Sequence, residues 1–209
     1  MSSPVFDEFT LADLAADGIA VLDAEEIDIA VVIGASMGGA VAQELALNFS
    51  ERVRSLVLLG TFAGNRHFVP PDPSVIELFE QALKLQSKIE RWHHALPATF
   101  SQTYLRENED LALELELKGF RYTTEDTLRW HGQAVSKFEA YDRLPSVSAP
   151  CLVMHGTADP IIPFENGQML ARRLTTCEFV PLDGVGHLPA VEKPLETADL
   201  IRRFARTSI

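Results

Sequence analysis

Ile29-Ala30-Val31-Val32-Ile33-Gly34-Ala35-Ser36-Met37-Gly38-Gly39 is the stretch on which the fold turns. Its first five residues form a continuous apolar, largely β-branched run, the pattern of a strand buried on both faces of a sheet. From Met37 to Asn48 the pattern changes to helical spacing, with small residues along one side. Ser36 therefore stands where a buried strand turns sharply into a helix, the setting in which G-x-S-x-G carries chemical meaning. A turn this tight strains the backbone of its middle residue and needs small neighbours, and Gly34, Gly38 and Gly39 supply that room. The Ser36 hydroxyl is pushed out at the carboxyl edge of the sheet, above helix amides that the helix cannot pair itself. The Met37 N–H is placed to bond a developing oxyanion. A glycine-rich structural turn without chemistry would produce the same string.

Working outward, Thr10 and Asp13 form a helix-capping pair, and Leu11, Leu14, Ala15, Gly18, Ile19 and Leu22 share one face, which predicts a helix over 11–24. On the other side, Ser55-Leu56-Val57-Leu58-Leu59 is a second buried strand. Strand, helix and strand at this spacing make a βαβ unit, hence a parallel sheet with a right-handed crossover. After the turn-rich Val69-Pro70-Pro71-Asp72-Pro73-Ser74, amphipathic helical patterns run to about Tyr141 with no strand among them. Phe79, Trp92, Phe100, Phe120, Trp130 and Phe138 recur along these helices and are expected to pack inside them. The α/β character then returns. Cys151–Met154 reads as a strand, Phe164–Leu174 as a helix, Glu178–Leu182 as a strand and Pro194–Ala205 as a helix turning Leu195, Ala198, Ile201 and Phe204 inward.

The composition narrows the function classes. Over 209 residues the chain is 46% hydrophobic and 23% charged, with 12 Gly and 12 Pro, inside the range of globular proteins and outside those of disordered chains or collagen. Its 18 Lys and Arg against 30 Asp and Glu give a net charge of −12, a field that repels nucleic-acid phosphates and anionic lipid surfaces. Met1-Ser2-Ser3-Pro4-Val5-Phe6-Asp7 lacks the basic start and apolar stretch of a signal peptide. No run reaches the ~20 apolar residues that cross a bilayer. Cys151 and Cys177 lie in apolar strand-like runs, as expected of reduced, buried thiols in a cytoplasmic protein.

Serine is a poor nucleophile at neutral pH unless a positioned base, itself oriented by a carboxylate, takes its proton. Both partners follow later strands. Asp159 lies in His155-Gly156-Thr157-Ala158-Asp159-Pro160 and His187 in Asp183-Gly184-Val185-Gly186-His187. Three complementary side chains thus follow three strands of one parallel sheet, on the edge where open α/β sheets place their sites. Asp183 is a weaker alternative to Asp159. His67 is either a pocket residue or an exposed loop histidine. Adjacent His93 and His94 diverge on a helix and do not share a metal. Glu107, Glu109, Asp110, Glu114 and Glu116 read as a solvated helix face.

With these residues in hand, the chain resembles the α/β-hydrolases, whose chain order is Ser, then Asp or Glu, then His. Pro150 to Asp159 is similar to the family's acid-bearing strand, Gly186-His187 with Glu192-Lys193-Pro194 to its histidine segment, and Thr10-Leu11-Ala12-Asp13-Leu14 to the helix before its nucleophile strand. Within the superfamily the chain most resembles the cap-bearing serine esterases and the 3-oxoadipate enol-lactonase group. The resemblance implies a three-layer αβα core over 1–69 and 146–209 with a helical cap over 70–145. It also implies Ser36 as nucleophile, Asp159 as acid, His187 as base and Met37 as an oxyanion donor, acting on a small ester or lactone without cofactor or metal. C–C bond hydrolysis and cofactor-free perhydrolysis use the same constellation and remain alternatives, as does a catalytically silent chain.

Family members carry further strands before the Thr10–Ala24 helix, including a His-Gly loop that gives a second oxyanion N–H. Only nine residues precede that helix in this sequence. Two expectations follow: reduced oxyanion support, and an outer edge of Ile29–Ile33 that is covered by residues 1–9, pairs with a second copy of the chain, or makes the chain prone to aggregate.

Overall fold

A computed structural model describes residues 8–121 and 123–207, so the signal-peptide reading of Met1–Asp7 and the suggested covering role of residues 1–7 lie outside the described residues. Four strands, β1 (Ala30–Ala35), β2 (Val53–Leu59), β3 (Cys151–Gly156) and β4 (Cys177–Leu182), form one parallel sheet in the order β1-β2-β3-β4. Helices α1 (Leu11–Ala24) and α2 (Met37–Asn48) flank β1 in the chain. Between β2 and β3 come α3 (Pro73–Lys84), α4 (Lys88–Thr99), α5 (Gln102–Gly119) and α6 (Glu125–Ser136). Then follow α7 (Phe164–Arg173), the single turn α8 (Pro189–Glu192) and α9 (Pro194–Thr207).

The sequence dictates these elements locally. Thr10 accepts the Asp13 N–H while the Asp13 carboxylate accepts the Thr10 N–H, a reciprocal cap that starts α1. One face of the sheet carries Leu56, Leu58, Cys151 and Val153 against Leu11 and Ala15 of α1, Ala42 and Leu45 of α2 and Leu170 of α7. The other carries Val57, Leu59, Leu152 and Met154 against Leu200, Ile201 and Phe204 of α9. The result is three layers, with helices on both faces of the sheet. A third cluster, Leu96, Phe100 and Ala112 with Leu188 and Val191, fastens α4 and α5 to α8.

The structure corrects several expectations. β1 is not buried on both faces, for Ile33 is 52% exposed and Ile29, just before the strand, is 41% exposed. β1 is the terminal strand, and Ile33, in register with Val57, lies on the α9 face beyond the reach of that helix. Leu195 is 79% exposed although Phe204 is buried. At about 100° per residue the two stand on opposite sides of α9, and Thr197 takes the inward place instead. Phe79 is exposed and Phe138 packs edge-on to Phe62 in the main core, whereas Trp92 stacks on Phe120 at 4.2 Å between centroids. Cys151 is buried, but its register partner Cys177 is only half-buried; burial pushes the two thiols up to about 12 and about 11. Among the described residues no helix is long and apolar enough to cross a membrane, and no group of three or more His, Cys, Asp or Glu is placed to hold a metal.

Candidate active site

Ser36 occupies the turn between β1 and α2 at φ 53° and ψ −124°, a left-handed region that costs a non-glycine residue about 1–3 kcal/mol. Hydrogen bonds on both sides hold it there. The Ser36 N–H donates to Leu59 O at 3.0 Å, and Ser36 O accepts from Thr61 Oγ1 at 2.8 Å and from the Gly39 N–H at 2.9 Å. A Cβ on Gly34 would lie 2.3 Å from Gly38 O, and one on Gly39 would lie 2.6 Å from Thr61 Cβ. Gly38, by contrast, has open space where a Cβ would be, so two of the three glycines make the turn possible rather than all three. Met37 is the first residue of α2, and its N–H is one of the amides that the helix leaves unpaired.

The carboxyl ends of β1 and β3 and the loop after β4 bring together residues far apart in the chain. Ser36 Oγ is 2.9 Å from His187 Nε2, and His187 Nδ1 is 2.8 Å from Asp159 Oδ2. Asp159 and His187 are both buried, whereas Ser36 is partly open. The other carboxylate oxygen, Asp159 Oδ1, accepts the N–H groups of Ile161 at 3.0 Å and Ile162 at 2.9 Å. Burial pushes the Asp159 carboxyl up, but the charge of His187 together with hydrogen bonds from His155 and His187 holds it below the usual carboxylate range. An ionised carboxylate on Nδ1 keeps the imidazole with Nε2 as the acceptor facing Ser36.

Three other side chains belong to this neighbourhood; the sequence reading quoted His155 and Glu192 without a role and placed Glu116 on a solvated face. His155, fully buried on β3, also faces Asp159, with Nε2 3.2 Å from Oδ2. Glu116 is 7% exposed, unlike its acidic neighbours along α5, and so is not part of a solvated face. Burial raises its carboxyl above the ordinary range against the charge of His187 and a hydrogen bond with Thr99, whose carbonyl accepts the His187 N–H at 2.9 Å. Glu192 accepts the Gly186 N–H at 3.1 Å, the Ser101 N–H at 3.0 Å and the Ser101 hydroxyl at 2.6 Å, tying the histidine loop to the end of α4. Spacing along a helix sets Glu116 about 200° round from Glu114, on the side of Ala112, but does not say which side of α5 is covered.

The remaining candidates lie elsewhere. Asp183 is exposed and accepts the Thr157 hydroxyl at 3.2 Å. His67 is exposed and packs against Tyr141 with the rings tilted by 37°, His93 pairs with Glu109 at 3.0 Å, and His94 meets Gln81.

Known proteins share this arrangement of elements. The profile of the Alpha/beta hydrolase family matches residues 2–200. The chain is 30% identical over 196 residues to a poly(3-hydroxyalkanoate) depolymerase of Ectopseudomonas oleovorans, covering 93% of this chain and 66% of that protein. It is 25% identical over 207 residues to 3-oxoadipate enol-lactonase 1 of Acinetobacter baylyi, covering 98% and 74%. Among solved structures, a hydrolase from Pseudomonas aeruginosa PA01 superposes with a TM-score of 0.80 at 27% identity, covering 98% of this chain and 74% of that one. The chain therefore spans about two thirds to three quarters of the length of these relatives.

Proposed function

This chain belongs to the alpha/beta hydrolase family, and we propose that it is a serine hydrolase cleaving small carboxylic esters or lactones through an acyl-enzyme. One observation carries the reading: the continuous run Ser36 Oγ to His187 Nε2 at 2.9 Å and His187 Nδ1 to Asp159 Oδ2 at 2.8 Å, on the carboxyl edge of a parallel sheet. Ser36 Oγ adds to the substrate carbonyl carbon as its proton passes to His187 Nε2. Asp159 holds the ring in its tautomer and offsets the positive charge that forms on it. The Met37 N–H bonds the oxyanion, favouring the tetrahedral state over the planar carbonyl. When the tetrahedral state collapses, the carbon–oxygen bond to the leaving group breaks and His187 returns its proton to that oxygen. Water, deprotonated by the same ring, then releases the acid and restores the serine.

In this reading α3–α6 form a cap over the site, and they contribute Glu116 and the Thr99 carbonyl to the surroundings of His187. The acyl substrates named for the depolymerase and the enol-lactonase favour esters and lactones over C–C bond cleavage as the first class to assay. A fluorophosphonate probe should label the chain at Ser36, and Ser36→Ala should lose both labelling and hydrolysis of a small aryl ester while melting like the parent. Labelling elsewhere, or turnover retained by purified Ser36→Ala, overturns the reading.

A further inference from the structure

The buried side chain that the proposed reaction leaves without a task is His155. It stands on β3 with no exposed surface, directly beneath the carboxylate that orients His187. Two acceptors face its Nε2: Ile162 O at 2.8 Å and Asp159 Oδ2 at 3.2 Å. Neither can donate a proton, so Nε2 carries the hydrogen and shares it between them. The other nitrogen, Nδ1, is buried with no hydrogen-bond partner. On that side α7 comes so close that a Cβ on Gly167 would lie 2.3 Å from Nδ1, and Phe164 meets the ring edge-on. A second proton on Nδ1 would be a buried donor without an acceptor, so packing and hydrogen bonding select one neutral tautomer.

Asp159 Oδ2 is consequently a shared atom. It takes His187 Nδ1 at 2.8 Å from one direction and His155 Nε2 at 3.2 Å from another, while Oδ1 is filled by two backbone N–H groups. We propose that His155 is a positioning residue for the hydrolase: its Nε2–H fixes the Asp159 carboxylate with Oδ2 toward His187 and tempers the negative charge that the His187 ring feels. The proposal rests on the reading of Ser36, His187 and Asp159 as the reacting set and adds a fourth member that never meets the substrate.

The charge argument has a sign. Each donor on a carboxylate spreads its charge and weakens its pull on a neighbouring cation. Removing the His155 donor leaves Asp159 a stronger partner for protonated His187, so the base is neutralised only at higher pH. The side chains that face His187 or its partner Asp159 are Ser36 from the β1–α2 turn, Asp159 and His155 from β3 and its following loop, and Glu116 from α5. Glu192 of α8 holds the main chain of the preceding residue. The first four are unchanged in any comparison that alters position 155 alone, apart from His155 itself.

The test compares His155→Gln, His155→Asn and His155→Leu with the parent chain by the pH profile of kcat/KM. Gln carries an amide N–H at about the reach of Nε2, Asn only at about the reach of Nδ1, and Leu none. The acid limb should move up by roughly half to one pH unit in the Asn and Leu variants and stay within about 0.2 units of the parent in Gln. Should Leu fail to fold, the Asn and Gln pair decides, because both are polar and smaller than His. The parent itself gives an independent readout: once its six histidines are assigned in the ¹⁵N spectrum, the His155 ring should carry its proton on Nε2 and none on Nδ1. Active Asn and Leu variants with unmoved limbs, a Gln limb displaced as far as that of Leu, or a His155 ring protonated on Nδ1 overturns the proposal. Failure of the underlying reading is a separate result, an active Ser36→Ala protein.

Discussion

Gly34 and Gly38 occupy equivalent places in the string Gly34-Ala35-Ser36-Met37-Gly38, yet the structure assigns them unequal roles, and Ala substitution at each should separate them. A Cβ on Gly34 would stand 2.3 Å from Gly38 O, 2.7 Å from Gly38 C and 2.7 Å from Gly39 Cα. Carbon atoms pack at about 3.5–4.0 Å, so relief needs a displacement of about 1 Å. All three atoms are backbone of the first turn of α2 and cannot rotate aside, so the helix must shift from β1, carrying Ser36 and Met37 with it. Overpacking of this kind costs about 1–3 kcal/mol, and at about 2–4 °C per kcal/mol Gly34→Ala should melt roughly 2–12 °C below the parent. A reacting group misplaced by about 1 Å loses on the order of 100-fold in rate, so kcat/KM should fall further than stability alone explains. At Gly38 the new methyl meets nothing within 4 Å, and a helical Gly→Ala change gains up to about 1 kcal/mol. Gly38→Ala should melt at or above the parent temperature. Thermal melts with aryl ester kinetics on both variants settle the matter, and equal losses in the two, or a Gly34→Ala protein indistinguishable from the parent, would refute the steric argument.

Two further outcomes are expected. Burial raises the Glu116 carboxyl, so its contribution to stability is whole below the unfolded pKa and declines as pH rises through the folded one; urea midpoints should show Glu116→Gln more stable than the parent at neutral pH and the difference vanishing in acid, and parallel curves would contradict this. The exposed Ile33 on the terminal strand β1, with the exposed Ile29 just before it, should let the chain self-associate along the Ile29–Ile33 edge, with Ile33→Lys weakening the association in sedimentation runs over a range of concentrations; a parent that stays monomeric throughout and melts cooperatively would sink the idea.

What was legible in the sequence is what local patterns decide. The span of α1 follows from Thr10 and Asp13, which cap each other within four residues, and that of α2 from the small residues after Ser36. The juxtaposition of Ser36 and His187, 151 residues apart, was also legible, since a parallel sheet gathers the residues that follow its strands at one edge. The failures depend on neighbours that no local window contains. Whether Ile33 is buried depends on how far α9 reaches across the sheet, and whether Glu116 meets water depends on how α5 lies over Thr99. His155 was in plain view beside Gly156 and Asp159. Its direction relative to the carboxylate follows from the turn through Thr157 and Ala158, closed by the Asp159 N–H on Gly156 O at 3.3 Å, after which Asp159 Oδ1 accepts from the N–H groups of Ile161 and Ile162.

The supports of Ser36, Asp159 and His187 differ in kind. The sheet and its loops fix Ser36 and Asp159: Ser36 through Leu59 O and Thr61 Oγ1, Asp159 through Ile161, Ile162 and His155. His187 is fixed largely from outside the sheet. Its N–H hangs on Thr99 O at the end of α4, and the loop before it is held through Glu192 to Ser101, at the start of α5. A shift of α4 and α5 therefore bears on His187 before it disturbs either Ser36 or Asp159. The placing of α4 and α5 and that of the His187 ring are in this way coupled through main-chain groups of residues 99, 101 and 186, and the proposed proton transfer would depend on all three.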